Sequence, residues 1–217
     1  MQIPPQPPAQ RSKEPRMTHF VTRRTMMTTA SAALATAMLP VGANAAVTAA
    51  QATALVDQIV AAINQIISSG KSESAMIADF QNVFARYSDV PAIARYALGR
   101  DARSASPAQM QAFTTAFSGY IARKYGRRFR EFIGGQIQVN GAVDLPRGVA
   151  VQTTAVLRGQ APFRVDFHIS DASGRVLFFN IIIEGIDMLL SERTEIGAIL
   201  DRNRGDMNAL IAALQST

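Results

Sequence analysis

After Gly134-Gly135 the hydrophobic pattern of this 217-residue chain changes from a helical period to short strand-like runs that continue as far as residue 183. Four strand-like runs, QIQVNGAV, VAVQTTAVL, FRVDFHIS and VLFFNIII, follow one another with only DLPRG, RGQAP and DASGR between them. Connections this short close hairpins, whereas a parallel crossover needs a dozen or more residues. The runs therefore predict a four-stranded antiparallel meander.

Helical periodicity flanks the meander on both sides. From Ala46 to Ser69, Leu55, Ile59, Ala62, Ile63 and Ile66 recur at helical spacing until Gly70. A second helix opens at Ser72 or Ser74 and carries Ile77, Phe80, Val83 and Phe84; a third starts near Pro91 after Asp89 and runs to Gly99. Ser106 and Pro107 open a long helix expected to reach about Phe132, and beyond Gly185 two more cover about 186–202 and 206–214. Helices, then a sheet, then helices define an α+β fold.

The faces of the sheet are unequal. In the third strand Phe163, Val165, Phe167 and Ile169 alternate with Arg164, Asp166, His168 and Ser170, giving one apolar and one wet face. Ile137, Val139 and Val143 against Gln136, Gln138 and Asn140 repeat this in the first strand. The fourth strand breaks the rule, because Leu177, Phe179, Ile181 and Ile183 fill one face while Val176, Phe178 and Ile182 fill most of the other. Either helices flank it on both sides, or it is a wall shared by the core and a cavity.

Residues 1–45 have a different character. The first 16 are rich in Pro and Gln and are expected to be disordered, with Met17 a credible initiator. TRRTMMTTASAALATAMLPVGANA then places Arg23-Arg24 before a mildly apolar stretch and ends in Ala43-Asn44-Ala45, the anatomy of a signal peptide of the twin-arginine kind. The stretch is too short to span about 30 Å of hydrocarbon, so cleavage near Ala45 and a periplasmic location are expected, leaving 46–217 as one domain. Removal of this segment leaves 17 basic against 15 acidic residues out of the original 22 and 16. The positive charge belongs mostly to the signal, which argues against nucleic acid as a partner. The chain has no Cys, hence no disulfide framework.

Catalytic constellations are scarce. Asp166 and His168 share a strand face, and Glu184-Gly185 closes the fourth strand; each offers an acid or base, but no third ligand or nucleophile accompanies them. On the long helix Arg123, Arg127 and Arg130 fall on one side at 100° per residue, apart from a stripe of Phe113, Phe117, Ile121, Tyr125, Phe129 and Phe132. That basic side is either a solvated face or a docking surface for lipid headgroups or an acidic partner.

YSDVPAIARYALGRDARSASPAQMQAFTTAFSGYIARKYG, residues 87–126, resembles the MlaC family of periplasmic lipid carriers, also called the toluene-tolerance auxiliary family. The shared pattern falls on Asp89, Ala94-Arg95, Leu98-Gly99, Ala105-Ser106-Pro107, Gln109, Phe113, Phe117 and Tyr125-Gly126, and continues with Glu184-Gly185 and Arg193. Ala102, Asn180 and Ile186-Asp187 depart from it, and proteins encoded with hopanoid pathways are similar too.

The resemblance implies a shuttle that holds the acyl tails of a phospholipid, or a related lipid, between sheet and helices. Its implied partners are an outer-membrane lipoprotein complex and an inner-membrane MCE/ABC transporter. No cofactor, metal or catalytic residue is implied. The expected lipid-binding lining is Phe117, Ile121, Val139, Val151, Val165, Phe167, Phe179, Ile181, Met188 and Leu189, with Arg123, Arg127 and Arg130 for headgroup or partner docking. The alternatives are a small hydrolase or isomerase using Asp166, His168 or Glu184 as base in an α+β cavity, and an envelope adaptor with a filled interior.

Overall fold

A computed structural model describes residues 46–128, 131 and 135–216. The expected signal peptide, its cleavage near Ala45, Met17, Phe129, Arg130 and Phe132 lie outside the described residues. Among the described residues no helix is long and apolar enough to cross a membrane.

The helices begin where local chemistry starts them. In α1 (Ala49–Ser68) the Thr48 hydroxyl accepts from Gln51 N, while Gln51 Oε1 accepts from Thr48 N at 2.9 Å. The same reciprocal cap, Ser106 with Gln109, opens α4 (Pro107–Gly126). Ser72 caps α2 (Glu73–Tyr87) and Asp89 caps α3 (Val90–Leu98), which a 3₁₀ turn over Gly99–Arg103 follows. After the sheet come α5 (Met188–Arg202) and α6 (Met207–Ser216). The α4 helix ends at Gly126, well before Phe132. There a Cβ would meet Ile77 Cγ1 at 2.9 Å, so glycine lets α2 and α4 approach closely.

The sheet is an antiparallel meander in the order β1 (Gln136–Leu145), β2 (Gly148–Val156), β3 (Phe163–Ser170), β4 (Leu177–Ile183) and β5 (Ile186–Asp187). It has five strands rather than four. The fifth is a two-residue return of the chain through Glu184 (φ 48°) and Gly185 (φ 80°), both in the left-handed region that a tight two-residue hairpin demands.

Two bulges reset which side chains share a face. In β1 the register shifts between Val139 and Gly141, so Ala142 follows Ile137 and Val139 onto the inner face and Val143 turns outward, 50% exposed, against expectation. In β4 Asn180 pairs with His168 but Phe178 pairs with Ile169, which leaves Phe179 as the extra residue. Because cross-strand partners point the same way, Phe178, Ile181 and Ile183 share the face of Ile169, Phe167 and Val165. The expected grouping of Phe179 with Ile181 is thus broken by the bulge.

Two large apolar cores result, beside a small cluster of Ile66 and Met76 where α1 meets α2. Ala52, Leu55, Val56 and Ile59 of α1 pack on Val149, Val151, Ala155, Val165, Phe167 and Ile169 of the sheet. The other core surrounds α4, whose Phe113, Phe117, Tyr120 and Ile121 meet α3, α5 and α6. Phe178 touches both cores, so β4 is their common boundary.

Candidate functional site

Along that boundary lies an apolar slot of about 190 Å³. Helix α2 contributes Phe80 and Phe84, α3 Ile93, and α4 Phe117, Ile121 and Tyr125. The remaining walls are Phe178 to Ile181 and Ile183 of β4 and Met188, Leu189 and Glu192 of α5. Four successive β4 residues reach the slot because β5 pairs only with Ile182 and Ile183, leaving the rest of that strand's outer edge to the helices. Asp89 N donates to Phe178 O at 2.9 Å, so α3 is tied to this edge at one point.

A larger, more polar cleft of about 710 Å³ adjoins the slot and shares Ile93, Phe179, Asn180 and Leu189 with it. Arg147, His168, Ser170, Asp171 and Asp187 are among its other walls. The bulge residue Phe179 therefore stands between an apolar and a polar compartment, with its ring 5.9 Å from the His168 ring. Burial pushes His168 below the ordinary histidine range, against the upward pull of Asp187 and Asp166.

Asn180, the polar interruption in β4, is buried and makes three side-chain hydrogen bonds. Its Oδ1 accepts from Ile181 N at 2.8 Å and Leu189 N at 3.0 Å, and its Nδ2 donates to Asp187 Oδ1 at 3.0 Å. It pins the start of α5 to the strand. On the opposite wall Lys124 Nζ donates to Glu192 Oε1 at 2.7 Å, to Glu195 Oε2 at 2.6 Å and to the Tyr120 hydroxyl at 3.0 Å. Burial works to lower the Lys124 pKa, but its bonds to Glu192, Glu195 and Tyr120 together raise it well above the usual lysine range. Burial, then the contact with Glu192, raises Tyr125, whose hydroxyl donates to Glu192 Oε1 at 2.5 Å.

Of the ten expected lining residues, Phe117, Ile121, Phe179, Ile181, Met188 and Leu189 border the slot. Val139, Val151, Val165 and Phe167 instead belong to the core beneath α1, where that helix covers the sheet. Arg123 turns inward, donating from Nη2 to Leu214 O at 2.5 Å, so it holds α6 and is withdrawn from the expected docking face. Arg127 is exposed at the end of α4. A different basic cluster forms where Arg95, Arg100, Arg103 and Arg193 line a surface cleft with Tyr96, and the Arg193 guanidinium lies 5.2 Å over the Tyr96 ring.

The acid-base candidates are dispersed. Glu184 is exposed and its carboxylate accepts from Arg164 N, which makes it part of the β4–β5 turn. Asp166 pairs with Arg164 at 2.7 Å. Neither borders the cleft that His168 enters. Among the described residues no cluster of His, Cys, Asp or Glu could hold a metal ion. Glu192 carries no signal in the sequence that marks it as a slot residue, and Phe80 and Phe84 signal only through their four-residue spacing on one helix.

The fold and site define an α+β protein with an aromatic and aliphatic slot between a bulged edge of an antiparallel sheet and four helices. The family described as MlaC protein matches residues 53–216, and the chain belongs to it. Among solved structures, the phospholipid-binding protein from Ralstonia solanacearum, in complex with a phospholipid, has the same fold. Its TM-score is 0.66 at 17% identity, over 76% of this chain and 95% of that one.

Proposed function

We propose that this protein is a periplasmic lipid carrier that holds the acyl part of a phospholipid, or a related lipid, in the slot between β4 and helices α2 to α5. The slot carries the reading, since nearly all of its wall is hydrocarbon. Each methylene removed from water contributes about 0.8 kcal/mol, so binding of this kind needs apolar area rather than reactive groups. Family membership and the phospholipid complex of the Ralstonia solanacearum protein support it.

At about 190 Å³ the slot is smaller than the roughly 300–1,000 Å³ of typical ligand sites, so loading two tails requires it to widen. The adjoining cleft is larger and more polar, with Arg147, His168 and Ser170 beside Asp89, Asp171 and Asp187, and it leaves room for a headgroup near water. An exported carrier would exchange its cargo with an inner-membrane MCE/ABC transporter and an outer-membrane lipoprotein complex. The exposed cluster of Arg95, Arg100, Arg103 and Arg193 offers those partners a basic face.

Transfer of a pyrene-labelled phospholipid between two vesicle populations tests this. The rate should rise in proportion to protein concentration and fall in the variant Ile181→Trp, which fills the slot. A rate no greater than that of vesicles alone would refute the proposal.

A further inference from the structure

Among the described residues Glu192 is the one carboxylate in the slot wall, and it is only 4% exposed. Its two oxygens are treated unequally. Oε1 receives both Lys124 Nζ at 2.7 Å and the Tyr125 hydroxyl at 2.5 Å, whereas Oε2 is buried with no hydrogen-bond partner among the described residues. A carboxylate oxygen enclosed without a donor is unfavourable, because it has given up water for nothing.

The surroundings offer it little help. Asn180, the other polar side chain of the slot apart from Tyr125, is committed to Asp187, Ile181 N and Leu189 N. Tyr125 has one hydroxyl proton, already given to Oε1. A water molecule placed beside Oε2 would find mostly hydrocarbon on its other sides, and buried waters are retained when they have two to four polar partners. The vacant acceptor exposes less than 1 Å² in the closed slot, so the donor that matches it is one that arrives with the ligand as the slot widens.

We infer that Glu192 Oε2 accepts a hydrogen bond from a neutral hydroxyl on the bound amphiphile, so that this carrier selects a hydroxyl-bearing lipid over one that presents only hydrocarbon at that wall. The inference rests on the proposed carrier function and adds a ligand class to it. A neutral hydroxyl fits better than an ammonium, which would have to shed its hydration to enter an apolar slot where Lys124 already supplies a cation to the same carboxylate. A second carboxylate, as in a free fatty acid, would meet like charge.

The test is competition for a fluorescent acyl probe loaded into the delipidated protein. The competitors are 1-dodecanol, dodecyl methyl ether, dodecylamine and vesicle phospholipid. Hydrogen bonds to charged groups support an expected preference of about tenfold or more for the alcohol over the ether, with the amine weaker than the alcohol. In the paired variant Lys124→Met/Glu192→Met, which removes both charges together, the ratio of alcohol to ether should fall to about one to two. Equal binding of alcohol and ether by the native protein would overturn the inference, and so would a preference that survives in the variant. The native ratio decides even where the variant does not fold. If the phospholipid displaces the probe while alcohol and ether compete equally, only the hydroxyl inference falls; if no competitor displaces it, the carrier reading falls as well.

Discussion

Phe178 stands opposite Ile169, one place out of step with the neighbouring pair of Asn180 and His168. The extra residue, Phe179, is thereby freed from the ladder and borders both slot and cleft. Truncating it should join the two compartments. Phe179→Ala is expected to speed lipid release from a loaded carrier several-fold while costing about 2 kcal/mol in stability, less than the roughly 3–5 kcal/mol of a fully buried Phe because the ring is only half-buried. Release kinetics measured into acceptor vesicles check this; an unchanged rate would mean that Phe179 is no barrier.

Asn180 ties β4 to the start of α5 through two accepted bonds and one donated bond. Asn180→Leu fits the apolar neighbourhood but removes the side-chain acceptor of Ile181 N and Leu189 N and one donor to Asp187. The expected loss is about 2 kcal/mol, read from the denaturant midpoint at constant m. A loss below about 0.5 kcal/mol would show that the tie is replaceable.

Gly148 opens β2 directly after the β1–β2 turn at φ 118°, and a Cβ there would stand 2.0 Å from Ile169 O. Gly174, at φ 83°, has open space around the same point. Alanine at 174 should cost on the order of 1 kcal/mol from backbone strain alone, whereas alanine at 148 should cost at least about 2 kcal/mol more. Thermal unfolding of the two variants separates backbone conformation from backbone contact, and equal losses would contradict the close approach.

His168 is held below its ordinary pKa by burial, so the unfolded chain binds this proton more readily than the folded one. Its stabilising contribution is complete above the unfolded value of about 6.5 and is lost as the pH falls toward the folded value. His168→Gln should therefore flatten the fall in stability just below pH 6.5. Denaturation curves at a series of pH values check the sign; a steeper fall in the variant would contradict it.

The sequence carried the architecture because the signals that set it are local. Ser106 with Gln109, and Asp89 before Pro91, start helices by chemistry within one turn. The alternation of Phe163 to Ser170 orients β3 directly. The two bulges were not legible, since neither Asn140 nor Phe179 marks itself as an extra residue, and a shift of one reverses every later side chain. Val143 and Phe178 therefore stand on the faces opposite to those that simple alternation predicts. Glu192 lies in SERTE, which looks like a solvated helix face; its burial is created by Lys124 and Tyr125, some 70 residues away in sequence. Likewise Val151 and Phe167 are as apolar as Ile181, and only the position of α1 assigns them to core instead of slot.

The central claim is that the slot between β4 and helices α2 to α5 carries a lipid. Native mass spectrometry of the protein purified gently from the cells that produce it tests it most directly. The expected result is a population heavier than the chain by the mass of one lipid, released by solvent extraction and reduced in Ile181→Trp. A single mass equal to the bare polypeptide, with no lipid in the extract, would contradict it.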